Sequence, residues 1–525
     1  MKLRGLRARR SLTAIVCVVS LIAGVVLLWA HETGRFDRVA STVSSVAATD
    51  KLSEGLGLYA STVLRSDGSI NVDRTIAKLR AEGATRYYYL IWDRRHPGVG
   101  STTPVDTISR GEWGQLPEFA DKADAVGIDV VVYLVPPLES TPTTYLPFGW
   151  DYVAWFREVG AIAAAHRNIV GVAIDDFGAA TDTRTTSRGM PAFTPGLVRQ
   201  MVAEARVTAP WLKFYAVLYA QDFVGATATL PPFRGVVDGV IYAFAGPNQV
   251  AHAAQNTTDP RGADFTGELV RRVTSCQGRA SCWQLSFPAP RRVAMGATAT
   301  LRRSVELPEG GVDLQLDFTD NRVPGDSSGY TVRATVDGHD VTVVRSAAGS
   351  WQRLSAHLPA TTSRRAVLSI TVSRSVYRRK MSVTLSNAQL RTASGRVHLD
   401  PTTAGWLTST SGGATVDRVQ PLKVVFMIYA ARFGSEVSIP GAADRTYVGK
   451  VSQQVQRLAD NHDIDGVVIY RLNLSGARTM PGQGDPASAP LVRDLYRELS
   501  TESSAHSRSG QHRRSIRPAT SWRGG

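Results

Sequence analysis

Alternation between strand-like and helix-like segments is the feature that most constrains this fold. Between residues 53 and 501, eight short apolar runs recur, and helical spacing follows most of them. Such alternation favours a parallel sheet. The predicted strands cover 55–60, 86–92, 128–135, 169–174, 212–219, 236–244, 422–429 and 466–472. The predicted helices cover 72–82, 113–126, 150–166, 194–207, 266–273, 447–461 and 490–499.

Eight such units predict a closed (β/α)8 barrel, in fold class α/β. An open doubly wound sheet is the alternative, although no glycine-rich phosphate loop follows the first strand. A weak internal repeat favours the barrel. Leu212-Lys213 and Leu422-Lys423 begin two similar strands, and the strand after each begins with Asp238-Gly239 or Asp465-Gly466.

Residues 276–418 interrupt this pattern. Apolar and polar residues alternate there in short runs, and turn pairs such as Asp337-Gly338 separate the runs, which predicts an inserted antiparallel β-sandwich. The segment 351–359 and the paired strands after it resemble the jelly-roll carbohydrate-binding modules of many glycosidases. The resemblance implies sugar binding, and a spacer that binds no sugar is the alternative. Because the helix at 266–273 precedes the insert, we expect the sandwich at the floor of the barrel.

The two ends of the chain carry most of its charge. Five basic residues lie within the first ten positions and five arginines lie after Glu502, so two thirds of the net charge of +15 is terminal. The body is mildly basic, and no basic-aromatic motif indicates nucleic-acid binding. Residues 12–30 are uncharged and follow the first basic cluster, which predicts a membrane anchor with a cytoplasmic N-terminus. A signal peptide cleaved after Ala30 is the alternative, with a secreted product.

The predicted organisation is therefore an exported protein. Its segments are a basic stretch and anchor (1–30), a stalk (31–52), the first part of the barrel (53–275), the insert (276–418), the last part of the barrel (419–501) and a disordered basic tail (502–525). Cys276 and Cys282 lie close together outside the anchor, and an oxidising compartment predicts a disulfide between them.

Asp175 and Asp176 end the apolar run that forms the fourth predicted strand. Barrel chemistry takes place at the carboxyl ends of the strands. Two neighbouring carboxylates in a confined site separate their pKa values, as acid–base chemistry requires. The competing interpretation makes one Asp a helix cap and the other the partner of an Arg.

Acids, amides and aromatic rings follow the other predicted strands, and this mixture suits a sugar. The predicted substrate-binding residues are Trp92, Asp93, Glu139, Tyr219, Asp222, Tyr242, Tyr429, Arg471 and Asn473. Each has a structural alternative: the tyrosines as barrel core, Asp93 in a surface ion pair, Glu139 as a solvated loop acid and Asp222 as a helix cap. We predict no metal or cofactor, since His96 alone lies near the site. No Gly-x-Ser-x-Gly elbow indicates a serine hydrolase.

The carboxylate pattern distinguishes two mechanisms. The seventh strand exits without a carboxylate until Glu436, which disfavours double displacement by two separate acids. The Asp-Asp pair after an apolar fourth strand resembles the O-GlcNAcase-type β-N-acetylglucosaminidases. The resemblance implies that Asp175 orients a 2-acetamido group and that Asp176 is the general acid/base.

These patterns together predict a glycoside hydrolase that acts on a cell-envelope or extracellular glycan. A non-catalytic glycan-binding or wall-organising barrel is the first alternative. A transglycosylase or another barrel activity is the second.

Overall fold

The computed structural model describes residues 52–500, with internal gaps of which the longest are 92–105, 182–188, 245–269, 288–295, 322–329, 430–454 and 475–489. Eight parallel strands form a closed barrel, which confirms the predicted fold class and strand order. The barrel strands are β1 (Leu56–Ser61), β2 (Arg86–Ile91), β3 (Asp129–Leu134), β4 (Ile169–Ile174), β5 (Lys213–Leu218), β6 (Gly239–Phe244), β19 (Lys423–Tyr429) and β20 (Gly466–Asn473).

Helices follow the strands where the sequence pattern predicts them among the described residues, whereas most of the predicted helix at 266–273 and the first half of that at 447–461 lie outside those residues. Asn71, Asp151 and Thr194 each cap the helix that follows, because each side chain accepts a hydrogen bond from a backbone N–H in the first turn. The helices are α1 (Val72–Ala81), α2 (Asp106–Asp124), α3 (Tyr152–Ala165), α4 (Phe177–Ala180), α5 (Pro195–Thr208) and α6 (Ala220–Phe223). Residues 455–460 and 490–500 are also helical. α2 begins earlier than predicted and continues through Pro117.

Large and small side chains alternate inside the barrel. A Cβ atom at Gly57 would lie 2.5 Å from the ring of Tyr88, and one at Gly171 or Gly239 would lie 2.8 Å from the ring of Tyr215. The glycines therefore leave room for two fully buried tyrosines, and this fit lets the interior reach close packing.

The weak internal repeat has a structural cause at the amino ends of the strands. The Asp238 carboxylate accepts a hydrogen bond from the Phe214 N–H at 2.7 Å, and the Asp465 carboxylate accepts one from the Val424 N–H at 2.9 Å. Each Asp precedes one strand, and its carboxylate accepts from the backbone N–H of the second residue of the strand beside it. The repeat therefore reflects strand-start chemistry and not the working face of the barrel.

Two antiparallel sheets form between β6 and β19, and they share one apolar core. One sheet has the order β11-β10-β14-β8-β17, and the other has the order β12-β13-β9-β15-β7-β18 with β16 paired to β15. Their strands are β7 (Cys282–Phe287), β8 (Thr298–Leu307), β9 (Val312–Asp320), β10 (Tyr330–Val336), β11 (His339–Asp340), β12 (Val344–Ala348), β13 (Trp351–Leu358), β14 (Arg364–Arg374), β15 (Met381–Thr392), β16 (Gly395–His398), β17 (Trp406–Thr410) and β18 (Thr415–Val419).

Buried polar contacts fix the insert to the barrel. Arg234, in the connection between β5 and β6, is 2% exposed and donates to Thr384 Oγ1 of β15 at 3.0 Å. It also donates to the carbonyl oxygens of Thr274 and Ser275. The Leu422 N–H donates to the Thr274 carbonyl at 3.0 Å, so the chain leaves and re-enters the barrel at neighbouring points.

The predicted disulfide between Cys276 and Cys282 is present at this junction. Replacing both cysteines with Ser is expected to lower the free energy of unfolding by about 2 kcal/mol, because the bond closes only a short loop in the unfolded chain. Chemical denaturation measures the change. A reductant should lower the midpoint of the wild-type protein and leave the double variant unchanged; equal midpoints for the two oxidised proteins would contradict the prediction.

No helix among the described residues is long and apolar enough to cross a membrane. The predicted anchor at 12–30 and the predicted tail at 502–525 lie outside the described residues.

Candidate functional site

The Asp pair lies where β4 leaves the barrel. The Asp175 N–H donates to the Leu134 carbonyl at 2.9 Å, so Asp175 extends the ladder with β3 by one residue. Asp176 then takes a left-handed conformation, with φ of 41°, immediately before α4. Asp is one of the few residues that tolerate this region. The turn breaks strand alternation, so the two carboxylates need not point to opposite faces.

Three tyrosine rings lie in the interior cluster close to the pair. The Tyr59 ring stacks on Tyr470 at 4.5 Å between centroids and lies 4.6 Å from the ring of Tyr133. Tyr133 is fully buried, and the charge of Asp175 is among the causes that raise its pKa. The rings therefore form an aromatic layer beneath Asp175. Sequence reasoning named neither Tyr59 nor Tyr133, although the phase of each strand carried the signal.

Burial and like charge raise the pKa of Asp175 well above its ordinary value. Burial contributes most, followed by the charges of Asp176 and Glu139, while the neighbouring Tyr133 hydroxyl opposes the shift. Burial also raises the pKa of Asp176, and a hydrogen bond from Tyr219 works against that rise. The pair is thus suited to hold a proton at a pH where an isolated Asp is ionised.

Tyr219 follows β5 and connects the Asp pair to the next unit. Its hydroxyl donates to Asp176 Oδ1 at 2.6 Å, and its backbone N–H donates to Asp222 Oδ2 at 2.9 Å. The other oxygen of Asp222 accepts from the Thr229 hydroxyl at 2.9 Å. Burial raises the pKa of Asp222 to about 6. Asp222 lies within α6 and reaches back to the residue before that helix, as an acid does in a capping box.

The structure brings part of the predicted set together. Asp175, Asp176, Glu139, Tyr219 and Asp222 meet where β3, β4 and β5 end. Glu139 follows two prolines in a turn, and its N–H donates to the Pro136 carbonyl.

Tyr242 does not join this group. It is fully buried and its ring packs 5.6 Å from Phe223 and 5.3 Å from Phe426. Its neighbours in β6, Ile241 and Ala243, belong to the interior cluster, so Tyr242 points outward from the sheet. The substrate-binding prediction for Tyr242 is therefore corrected to a packing role on the outer face.

The side chains of the other five predicted substrate-binding residues lie outside the described part of the structure. Trp92 and Asp93 lie outside the described residues. Tyr429, Arg471 and Asn473 are the last residues of β19 and β20, which end at the same rim, and only their backbone is described.

The close contact between Gly178 and the Asp222 side chain was not predicted from the sequence. A Cβ atom there would lie between 2.2 and 2.6 Å from the three terminal atoms of the Asp222 side chain. The glycine therefore lets the Asp222 carboxylate press against α4 just beyond Asp176.

Within the described part of the chain, no cluster of three or more His, Cys, Asp or Glu side chains is suited to a metal ion. Carboxylates, phenol hydroxyls and ring faces are what this site offers. They can exchange protons with a ligand, accept hydrogen bonds from its hydroxyls and stack on its apolar faces.

No protein-family model and no curated protein sequence matches the chain. Solved structures with a likeness include a GH5_18 protein from Streptomyces cattleya in complex with Manb1-4GlcNAc, at 16% identity and a TM-score of 0.29, covering 42% of this chain and 59% of that protein. A Paenibacillus cycloisomaltooligosaccharide glucanotransferase has 10% identity and a TM-score of 0.34, over 86% of this chain and 67% of that one.

A GH113 beta-1,4-mannanase has 12% identity and a TM-score of 0.25, over 38% and 66% of the two chains. At these scores none of the likenesses bears on what this chain does. The barrel is established by its own strand pairing.

Proposed function

We propose that the protein is an exported glycoside hydrolase that acts on a cell-envelope or extracellular glycan, with Asp176 as its general acid/base. One observation carries the proposal. Asp176 lies at the carboxyl end of a parallel barrel, with a raised pKa, and accepts a 2.6 Å hydrogen bond from Tyr219 beside a second buried carboxyl. Export rests on the predicted anchor at 12–30, which the proposal places in the cytoplasmic membrane.

The contacts suggest how proton transfer works. Protonated Asp176 gives its proton to the glycosidic oxygen as the bond to the anomeric carbon breaks. The carboxylate that remains keeps the Tyr219 hydrogen bond, which stabilises the charged form. In the return step Asp176 takes a proton from the attacking water.

The finer proposal is substrate-assisted hydrolysis of an N-acetylhexosamine. The substrate's acetamido oxygen attacks the anomeric carbon and forms a cyclic intermediate, while Asp175 accepts a hydrogen bond from the acetamido N–H. One carboxylate then suffices for proton transfer, which suits a site where both oxygens of Asp222 already bind protein groups. Asp175 accepts that hydrogen bond as a carboxylate, so substrate binding is accompanied by release to solvent of the proton that burial favours on Asp175.

A glycan and aryl-glycoside panel tests the proposal with the full-length protein in detergent. Cleavage by the wild-type protein that is lost in Asp176→Asn supports it. Glycan binding without cleavage, unchanged in Asp176→Asn, instead supports a non-catalytic glycan-binding barrel. A thiazoline mimic of the cyclic intermediate tests the finer mechanism: tight binding weakened by Asp175→Ala supports it, and no binding rejects it while leaving other hydrolysis open.

Tyr219→Phe is expected to move the alkaline limb of the pH–rate profile to higher pH. The hydroxyl lowers the pKa of Asp176, so its loss raises that pKa, and the protonated acid persists to higher pH. The measurement is kcat/KM from pH 4 to 9 with a circular dichroism control at each pH. A limb that stays in place or moves to lower pH would show that Asp176 is not the group that titrates.

A further inference from the structure

The side chain and the backbone carbonyl of Asp222 both accept hydrogen bonds from other groups of the protein. It is 7% exposed, Oδ2 accepts from the Tyr219 N–H at 2.9 Å, and Oδ1 accepts from the Thr229 hydroxyl at 2.9 Å. The Asp222 carbonyl accepts from the N–H groups of Thr229 and Leu230 as well. Both ends of this residue thus hold the β5–β6 connection, and each carboxylate oxygen already accepts a hydrogen bond from the protein.

Tyr219 links Asp222 to the Asp pair through two hydrogen bonds. One end of Tyr219 is its backbone N–H, bound to Asp222, and the other is its hydroxyl, which donates to Asp176 Oδ1 at 2.6 Å. A tyrosine side chain has two torsions with few rotamers, so the position of its backbone limits its hydroxyl to a small number of places. Asp222 therefore sets the donor of the bond to Asp176.

Gly178 links Asp222 to the segment that carries Asp176. The Asp222 side chain packs so closely on Gly178 that a Cβ atom would come within 2.2 Å of Oδ1. Gly178 lies two residues after Asp176 in the short helix α4. The Asp222 carboxylate therefore packs against the backbone of the short helix that follows Asp176, the acceptor of the hydrogen bond. It also binds the backbone of Tyr219, the donor.

We infer that Asp222 is a positioning residue that sets the Tyr219–Asp176 hydrogen bond and does not bind the substrate. The effect on catalysis rests on the proposed function, whereas the effect on geometry does not. This assignment replaces the sequence-based prediction that Asp222 contacts the glycan.

Two substitutions separate geometry from charge. In Asp222→Asn the amide oxygen can accept from the Tyr219 N–H, and the amide nitrogen can donate to the Thr229 oxygen, so the charge is lost and both hydrogen bonds remain. In Asp222→Ala both the charge and the hydrogen bonds are lost. The titratable groups around Asp176 are otherwise the same in the two variants: Asp175, Tyr219 and, beside Asp175, Tyr133 and Glu139.

Crystal structures of both variants test the geometry without any assay of activity. We expect the Tyr219–Asp176 bond to persist in Asp222→Asn and to be broken in Asp222→Ala. An intact 2.6 Å bond in Asp222→Ala overturns the inference. Titration of 13C-labelled Asp carboxyls should show a higher pKa for Asp176 in the Ala variant than in the Asn variant, and equal values would also overturn it.

Kinetics test the catalytic consequence. Asp222→Ala is expected to lower kcat/KM about 10- to 100-fold, as misplacement of a reacting group does, and to shift the alkaline limb as Tyr219→Phe does. Asp222→Asn should rescue most of the rate and the limb. If no glycan is cleaved by the wild-type protein, the proposed function fails alone, and the crystallographic and titration results still decide the role of Asp222.

A compensating substitution distinguishes positioning from simple packing. Adding Gly178→Ala to Asp222→Ala places a methyl group in the vacated space, so thermal stability should recover. The Tyr219 N–H remains without its carboxylate, so the bond to Asp176 and the rate should not recover. Recovery of stability and rate together would show that Asp222 acts by filling space, against the inference.

Discussion

Asp176→Asn is expected to lower kcat/KM by about 10²- to 10⁴-fold, the range that a general acid/base contributes. The substitution is a clean probe, because Asn accepts the left-handed backbone that Asp176 adopts, with φ of 41°. Its amide oxygen can also accept the Tyr219 hydrogen bond. Proton transfer is then the function removed, while the fold and the neighbouring contact are retained.

The leaving group provides the decisive readout for Asp176→Asn. An aryl leaving group of low pKa departs without protonation, so its cleavage should be reduced much less than that of a natural sugar linkage. Asp151→Asn is the matched control, since Asp151 is exposed and its side chain caps α3 by accepting from the Ala154 N–H. Equal losses for both leaving groups, or a comparable loss in the control, would contradict the assignment.

Glu54→Ala is expected to lower the free energy of unfolding by about 3–5 kcal/mol, as removal of one partner from a buried ion pair does. Glu54 is 1% exposed, and its carboxylate accepts from Arg86 and Lys213 at 2.7 Å each and from the Tyr215 hydroxyl at 2.5 Å. Among the described residues, the substitution leaves only the Asp129 carboxylate, at 3.2 Å, to offset the charge of the buried Arg86 guanidinium.

Chemical denaturation measures this change. Glu158→Ala removes one partner of an exposed pair with Arg157 and should cost less than about 1 kcal/mol. Burial would raise the pKa of Glu54, but the charges of Arg86 and Lys213 outweigh it and hold the pKa below 4.5. The stability that Glu54 contributes is thus present above pH 4.5 and lost as the pH falls. A loss in Glu54→Ala no larger than in Glu158→Ala would contradict the prediction.

The fold was largely predictable because periodicity and strand count are local signals. Strand β4 is an uninterrupted apolar run, and α5 has a capping Thr194 followed by proline. Closure into a barrel followed from the number of units. α2 begins at Asp106, seven residues before the predicted start at 113, and Pro117, which lies inside both the predicted and the observed helix, does not interrupt it.

Only those parts of the site whose position follows from a single strand were predictable from the sequence. The Asp pair and Tyr219 follow strand ends, and sequence order places strand ends on one face. Which side of a strand a residue faces depends on its neighbours, so Tyr242 was assigned to the wrong face of β6. The contact between Gly178 and Asp222 joins two units, and no pattern within either unit indicates it.

The junction beneath the sandwich has a consequence for how such a chain could arise. Thr274 and Leu422 are joined by a hydrogen bond, although they lie 148 positions apart in the chain. A segment inserted between these two residues does not lengthen any barrel loop. If it were removed, the two ends would be close enough to be joined by a short connection. Arg234 also joins the two parts: its buried guanidinium donates to the Thr274 carbonyl of the barrel and to Thr384 of β15, so removing the insert takes away one of its hydrogen-bond partners. The junction thus accommodates an inserted domain, and the Arg234 contacts couple that domain to the barrel.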